Sequence, residues 1–210
     1  MNRSGIKALL PDGVTPPGTR GRILYAALEL FAELGFHGTS IRDLAKQVGI
    51  NSATLYSHYP SKEDVLAELV ALGHVAHFSS LEHALAAAGD HPSDQLVALM
   101  RSQVFSHTDF QLLAIVANNE LHTLSPVKAA PALALREQGK QMFFSVLRRG
   151  VEMGEFTIAD VVLAGTAMGS MGLRVASWFG PDQPYTREQV ADSFADFALR
   201  IVGGKIPGCC

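Results

Sequence analysis

Apolar positions recur at intervals of three and four residues through most of the chain, the period of an amphipathic helix. Ile23, Leu24, Ala27, Leu28, Phe31 and Leu34 form one such stripe, and Gly35 is expected to stop this first helix. Ser40 and Asp43 then have capping-box spacing, with Asp in place of the usual Glu or Gln. They precede a short helix that turns Ile41, Leu44, Ala45 and Val48 inward and ends at Gly49. Asn51 is a good N-cap for a third helix, Ser52 to His58, which Pro60 breaks. A long fourth helix starts at Ser61-Lys62-Glu63-Asp64, with Val65, Leu66, Leu69, Val70 and Leu72 on its inner side. Further helices are predicted over 93–107, 110–122, 127–153, 158–179 and 187–202, with breaks at Gly89–Pro92, Ser125-Pro126, Gly154 and Pro181–Pro184. No run of strict alternation predicts a strand and no internal repeat is visible, which makes the fold class all-α.

Three helices close together, the second and third joined by a tight glycine turn, have the layout of a helix-turn-helix, whose latter helix enters the DNA major groove. The expected organisation is a flexible arm over 1–18, a helix-turn-helix DNA-binding domain over 19–66, a larger helical ligand-binding and dimerisation domain over 67–203, and a disordered tail over 204–210.

Composition narrows the function classes. The chain has 210 residues, 48% hydrophobic and 18% charged, enough for a sizeable core and too apolar for wholesale disorder. A net charge of −3 excludes a generally basic nucleic-acid coat protein, but the charge is unevenly placed. Residues 1–62 carry Arg3, Lys7, Arg20, Arg22, Arg42, Lys46 and Lys62 against four acids, a net +3, and the remainder is net −6. A basic head on an acidic body suits a protein of which one part meets a polyanion. The two cysteines, Cys209 and Cys210, are adjacent at the end, which gives no disulfide framework and fits a reducing cytoplasm. No secretory leader is seen, and the most membrane-like stretch, 161–173, is far short of the ~20 apolar residues of a spanning helix. A cytoplasmic protein with no membrane partner is therefore expected.

The third helix has the chemistry of a groove reader. Asn51, Ser52, Ala53 and Thr54 are small or polar at its N-terminal end, where backbone must come close to base edges. Tyr56, Ser57 and His58 lie one turn on, at the flanking phosphates, and Lys62 stands at the start of the fourth helix, where its charge suits a phosphate. Arg42, in the first turn of the second helix, is placed for a base edge or a phosphate.

Ala27-Leu28-Glu29-Leu30-Phe31, Gly35-Phe36-His37-Gly38-Thr39-Ser40-Ile41, Leu44-Ala45, Val48-Gly49, Thr54-Leu55-Tyr56-Ser57-His58-Tyr59 and Ser61-Lys62-Glu63 together resemble the TetR family of bacterial repressors, from about residue 19 to 66. The family often has Phe where Tyr59 stands and Ser where Asn51 stands. The resemblance implies a homodimer with two DNA-binding heads on a near-palindromic double-stranded operator. It maps phosphate and base contacts onto Thr39, Ser40, Arg42, Ser52, Thr54, Tyr56, Ser57, His58 and Lys62. Arg3, Lys7 and Arg20 either add contacts from the arm or are incidental charges of a tail.

The remaining two thirds of the chain suggests a ligand-gated core. Ala164 to Gly172 crowd small residues and methionines into one helix, and interior glycines cost ~1 kcal/mol each relative to alanine unless close packing or a ligand compensates. Arg174 and Trp178, at i and i+4, put a guanidinium beside a flat ring, a holder for phosphate or carboxylate. Phe105, Phe110, Phe144, Met168 and Met171, with Met142 and Phe143, are candidates for an apolar lining nearby, although an aromatic and methionine stripe is more often plain core. The last helix carries a stripe of Val190, Phe194, Phe197, Ala198 and Ile201, and with the glycine-rich helix is the expected dimer face.

Asn119-Glu120-Leu121, Leu124-Ser125-Pro126, Gly150, Gly154-Glu155-Phe156, Asp160 and Arg174-Val175-Ala176-Ser177-Trp178-Phe179 resemble a TetR branch that controls fatty-acid or sterol-ring breakdown and commonly responds to acyl-CoA thioesters. The branch usually has acidic and basic residues after the Ser-Pro, where this chain has Val127-Lys128-Ala129-Ala130. The effector implied is a small hydrophobic molecule such as an acyl-CoA or a fatty acid; no enzyme activity, metal or resident cofactor is expected. Two other readings stay open: an all-α acyl-thioester carrier or enzyme without a DNA role, and a regulator answering hydrophobic cations through a carboxylate such as Glu120.

Overall fold

The structure, a computed structural model, describes residues 6–203; Arg3 and the tail over 204–210, with Cys209 and Cys210, lie outside them. The described residues are helical and contain no strand. They group into two compact units. One holds the residues up to Ala76 together with Asp109–Ala134, and the other holds His77–Thr108 and the residues from Leu135 onward. The chain therefore returns to its first unit after leaving it.

In the first unit α1 spans Gly18–Gly38, α2 Ile41–Val48 and α3 Ser52–His58. They are joined by the beginning of α4 (Lys62–Ala87), by α6 (Gln111–Asn119) with the 3-10 turn Leu121–Thr123, and by the beginning of α7 (Pro126–Glu152). Helix α1 lies against α2 and α6, and α2 lies against α3. Ile23, Leu24, Ala27, Leu28 and Phe31 of the predicted stripe are buried, but Leu34 is half-exposed. A break follows at Gly35, whose φ of 74° and ψ of 167° leave the helical region. The predicted stop is thus a kink, after which one more turn carries the chain to Gly38.

The described part of the expected arm is folded. Leu10 is 4% exposed, and the Thr15 hydroxyl donates to the Pro11 carbonyl at 2.6 Å. A single apolar anchor has no periodicity and so leaves no signal of the kind that marks a helix.

The second unit contains the rest of α4 and α7 with α5 (Pro92–Asp109), α8 (Val161–Trp178) and α9 (Arg187–Ile201). Its core joins Leu81, Leu96, Leu99, Met100, Phe143, Phe144, Leu147, Phe156 and Met168 to Ala195, Ala198 and Leu199. A smaller cluster gathers Val104, Val175, Val190 and Ala191. Helix α8 begins three residues later than its pattern suggests because the Asp160 carboxylate caps it, accepting from the N–H groups of Val162 (2.8 Å) and Leu163 (3.0 Å).

The α8 glycines divide by cause. A Cβ on Gly165 would lie 2.4 Å from the Phe144 ring, and one on Gly172 2.1 Å from the Gln103 side chain, whereas Gly169 faces open space. Two of the three are thus answered by close packing. Gly165→Ala is expected to lower stability by about 1–3 kcal/mol, the usual scale of overpacking. Thermal unfolding monitored by circular dichroism checks this, and an unchanged midpoint would show that Phe144 moves aside freely.

Candidate nucleic-acid interface

A seven-residue helix does not persist alone in water, so α3 must be fixed from outside. At its start the Asn51 side-chain oxygen accepts from the Thr54 N–H at 2.8 Å. In its middle Leu55 is fully buried, a contribution of roughly 1.5–3 kcal/mol. At its end Tyr59 is 2% exposed beneath the Arg20 guanidinium, which stands 5.0 Å over the ring and donates to the phenol oxygen at 3.2 Å. The same guanidinium reaches Glu68 of α4 at 2.6 Å. Burial, with a smaller contribution from the Glu68 carboxylate, holds the Tyr59 phenol above its ordinary range against the opposing pull of Arg20, so the side chain is neutral.

Helix α2 carries the expected capping box. The Asp43 N–H donates to the Ser40 hydroxyl at 3.2 Å, and the Ser40 N–H donates to the Asp43 carboxylate at 2.8 Å. The Ser40 hydroxyl also donates to that carboxylate at 2.6 Å, and these bonds hold Asp43 below the ordinary carboxylate range. Gly49 ends α2 in the left-handed region, with φ of 75°. The Arg22 guanidinium donates to the Val48 carbonyl and fixes the start of the turn.

With its inner side held, α3 presents an outer face. Asn51, Ala53, Tyr56 and Ser57 are exposed, and Ser52, Thr54 and His58 are half-exposed. The Ser57 hydroxyl donates to the Thr54 carbonyl at 2.7 Å. Ser40 and Arg42 of the preceding turn are exposed as well. Lys46, absent from the sequence-derived set, is also exposed on α2, one turn after Arg42 and on the same face; their i, i+4 spacing was the available signal.

Two residues assigned to DNA are turned inward. Thr39 is 2% exposed, and its hydroxyl donates to the carbonyls of Gly35 (3.0 Å) and Leu30 (3.3 Å). The Lys62 ammonium donates to the carbonyls of Phe36 and Thr39, both at 2.6 Å, and sits 4.1 Å over the Phe36 ring. Burial lowers its affinity for the proton, while the Asp43 and Glu120 carboxylates oppose that shift. The chain between α1 and α2 bends back over these groups, a convergence that spacing along the sequence does not reveal. Arg20 and Arg22 are likewise engaged within the unit although exposed, and among the described residues Lys7, Arg42 and Lys46 are exposed and take no part in these contacts.

The effector candidates are dispersed. Phe144 and Met168 are buried in the larger core of the second unit, and Met171 packs against it. Phe105 and Trp178 pack on the smaller cluster, and Phe105 also lies beneath the guanidinium groups of Arg101 and Arg187, each 5.4 Å from its ring. Arg174 is exposed on α8, one turn from Trp178. Phe110 belongs to the first unit, immediately before α6. On α9, Val190 and Ala198 of the expected dimer stripe are buried, while Phe197 (47%) and Ile201 (39%) face outward with Val162 (59%) and Leu163 (68%) of α8.

Two family models match this chain. The model of bacterial regulatory proteins of the tetR family matches residues 23–69, and the model of the tetracyclin repressor-like C-terminal domain matches 89–202. The transcriptional repressor KstR2 of Mycobacterium tuberculosis is 28% identical over 189 residues, 89% of this chain and 92% of the relative. Its solved structure, described as a ketosteroid transcriptional regulator, superimposes with a TM-score of 0.82 over 91% of this chain and 97% of that one. The fatty acid metabolism regulator protein of Bacillus subtilis is 25% identical over 187 residues, covering 88% and 95%. The regulator PfmR of Thermus thermophilus is 36% identical, with a TM-score of 0.78 over 85% of this chain and 97% of that structure.

The beginning of α7 is tied to that of α4. The Lys128 ammonium lies 2.6 Å from the Asp64 carboxylate and 3.2 Å from that of Glu63, which also accepts from the Ser125 N–H at 2.8 Å. These partners hold both carboxylates below their ordinary range, Lys128 contributing most for Asp64 and the Ser125 N–H most for Glu63. A carboxylate whose affinity for the proton is lowered by folding stabilises the fold above its ordinary value, near pH ~4, and loses that contribution as pH falls through the depressed one. Asp64→Asn is expected to melt below wild type at about pH 7, with the gap closing as pH drops below about 4. Thermal unfolding across that range is the check, and a gap independent of pH would remove the ion pair as its cause.

Proposed function

The chain belongs to the tetR family of bacterial regulatory proteins, and from that premise we propose that it is a homodimeric repressor, released from a near-palindromic operator by a small hydrophobic effector of the acyl-CoA or fatty-acid kind. The observation that carries the reading is the outer face of α3, polar and open from Asn51 to His58, above an inner side fixed by Leu55 and Tyr59. Ser40, Arg42, Asn51, Ser52, Ala53, Thr54, Tyr56, Ser57 and His58 make the DNA contacts, and Lys46 joins them at the phosphates. Thr39 and Lys62 support these residues from beneath. In the dimer, Val162, Leu163, Phe197 and Ile201 leave water, and two heads set about 34 Å apart meet successive major grooves.

A mobility shift on the DNA upstream of the protein's own gene tests the reading. Arg42→Ala is expected to weaken binding and, where the guanidinium meets a phosphate, to lower the salt slope of affinity by about one. Tyr56→Ala is expected to weaken binding to every sequence by a similar factor. Failure of both variants to alter the shift would move the interface away from α2 and α3.

For the effector, Arg174 is the group that takes the anionic end and Trp178 offers the flat surface beside it. Met171 and Phe105 flank the apolar portion, and Phe144 and Met168 form its packed wall. The relatives named for ketosteroid and fatty-acid control support this class of ligand. Acyl-CoA is expected to lower operator affinity by a coupling of about 1–3 kcal/mol. Arg174→Ala should abolish the thermal stabilisation that acyl-CoA gives while leaving operator binding intact; full stabilisation of that variant would place the anion elsewhere.

A further inference from the structure

The turn between α1 and α2 is held from three directions, one of them outside the helix-turn-helix. Gly35 leaves the helical region, and the next residue, Phe36, has its N–H directed at the Glu120 carboxylate, 3.3 Å from Oε1. The carbonyl of the same residue accepts from the Lys62 ammonium at 2.6 Å. Phe36 is therefore gripped at its donor by an anion and at its acceptor by a cation, and Thr39 closes the turn beneath it. The next residue, Ser40, is the N-cap of α2, so the position of this turn sets where α2 and α3 start.

Glu120 is anchored independently of the turn it holds. Its N–H donates to the Val116 carbonyl at 2.9 Å, and its own carbonyl accepts from the Thr123 hydroxyl at 2.7 Å and the Thr123 N–H at 3.0 Å. The side chain thus extends from a fixed point at the junction of α6 and the 3-10 turn. Beside it runs a crevice of about 300 Å³ between α1 and α6, lined by Leu34, Gly35, Asn119 and Glu120 among others, so water has access to this bond.

We propose that Glu120 is a positioning residue for DNA binding, its carboxylate holding the Phe36 N–H so that α6 fixes the α1–α2 turn and, through Ser40, the attitude of α2 and α3. This inference rests on the DNA-binding reading above. The carboxylate does not touch DNA; it acts through the backbone.

The test compares wild type, Glu120→Gln and Glu120→Ala. Glu120→Ala is expected to weaken operator binding by roughly tenfold, the scale of a hydrogen bond to a charged group. Its salt slope should match wild type, because no phosphate contact is lost. Glu120→Gln keeps an acceptor oxygen and should stay within about threefold of wild type. In hydrogen-exchange spectra of the free protein, the Phe36 amide should be protected in wild type and in Glu120→Gln and lose that protection in Glu120→Ala. The inference is overturned if Glu120→Ala binds as wild type, if its salt slope changes, or if the Phe36 amide exchanges equally fast in all three proteins. A wild-type protein that shifts no operator would instead defeat the DNA-binding reading, and the Phe36 exchange would still decide the hydrogen bond. If Glu120→Ala fails to fold, a Phe36 amide unprotected in wild type, or a Glu120→Gln that loses operator binding with the acceptor kept, overturns it.

Discussion

A short helix can present a reading surface only when something else holds it still, and in this chain that constraint falls on Leu55 and Tyr59. One is sealed from water in the middle of α3; the other closes its end beneath Arg20, which is paired in turn to Glu68 of α4. Two neighbouring helices therefore fix the end of α3, while Asn51 fixes its start. The exposed polar side chains between these points owe their order to groups that never face the solvent.

The same economy governs charge. The head has an excess of cations, but a large share of them is spent on the fold: Arg20 on a phenol and a carboxylate, Arg22 on the carbonyl that ends α2, and Lys62 on two carbonyls of the α1–α2 turn. A buried carbonyl without a donor is costly, and a lysine or arginine with a long apolar stem can satisfy one while keeping its charge near carboxylates. Among the described residues, Lys7, Arg42 and Lys46 are exposed and take part in none of these bonds, the last two on one face of α2. Net charge over the head is thus a poor count of the cations its own fold leaves unengaged.

In the second unit the glycines of α8 show why a small-residue run has more than one meaning. Gly165 and Gly172 admit a phenylalanine ring and a glutamine side chain, and so belong to packing; Gly169 meets open space, and Val162 and Leu163 of the same helix are exposed. The same helix therefore has a finished inner side and an unfinished outer one.

The sequence by itself determined the helical class, the order of the elements and the start of α2 and α3, because caps and apolar periods are local. Ser40 with Asp43, Asn51 and Gly49 act within four residues of themselves, and their geometry follows from composition and spacing. It also exposed the ordered run from Asn51 to His58. Tertiary structure alone decided that Thr39 and Lys62 face inward, that Leu10 anchors a segment without periodicity, that Gly35 bends rather than ends α1, and that Glu120 meets Phe36. The places of Thr39, Lys62 and Glu120 depend on which distant backbone group lacks a partner once the helices have packed, and an unsatisfied carbonyl or N–H leaves no mark on the identity of the residue that carries it; Leu10 depends on a distant apolar surface that is equally unmarked.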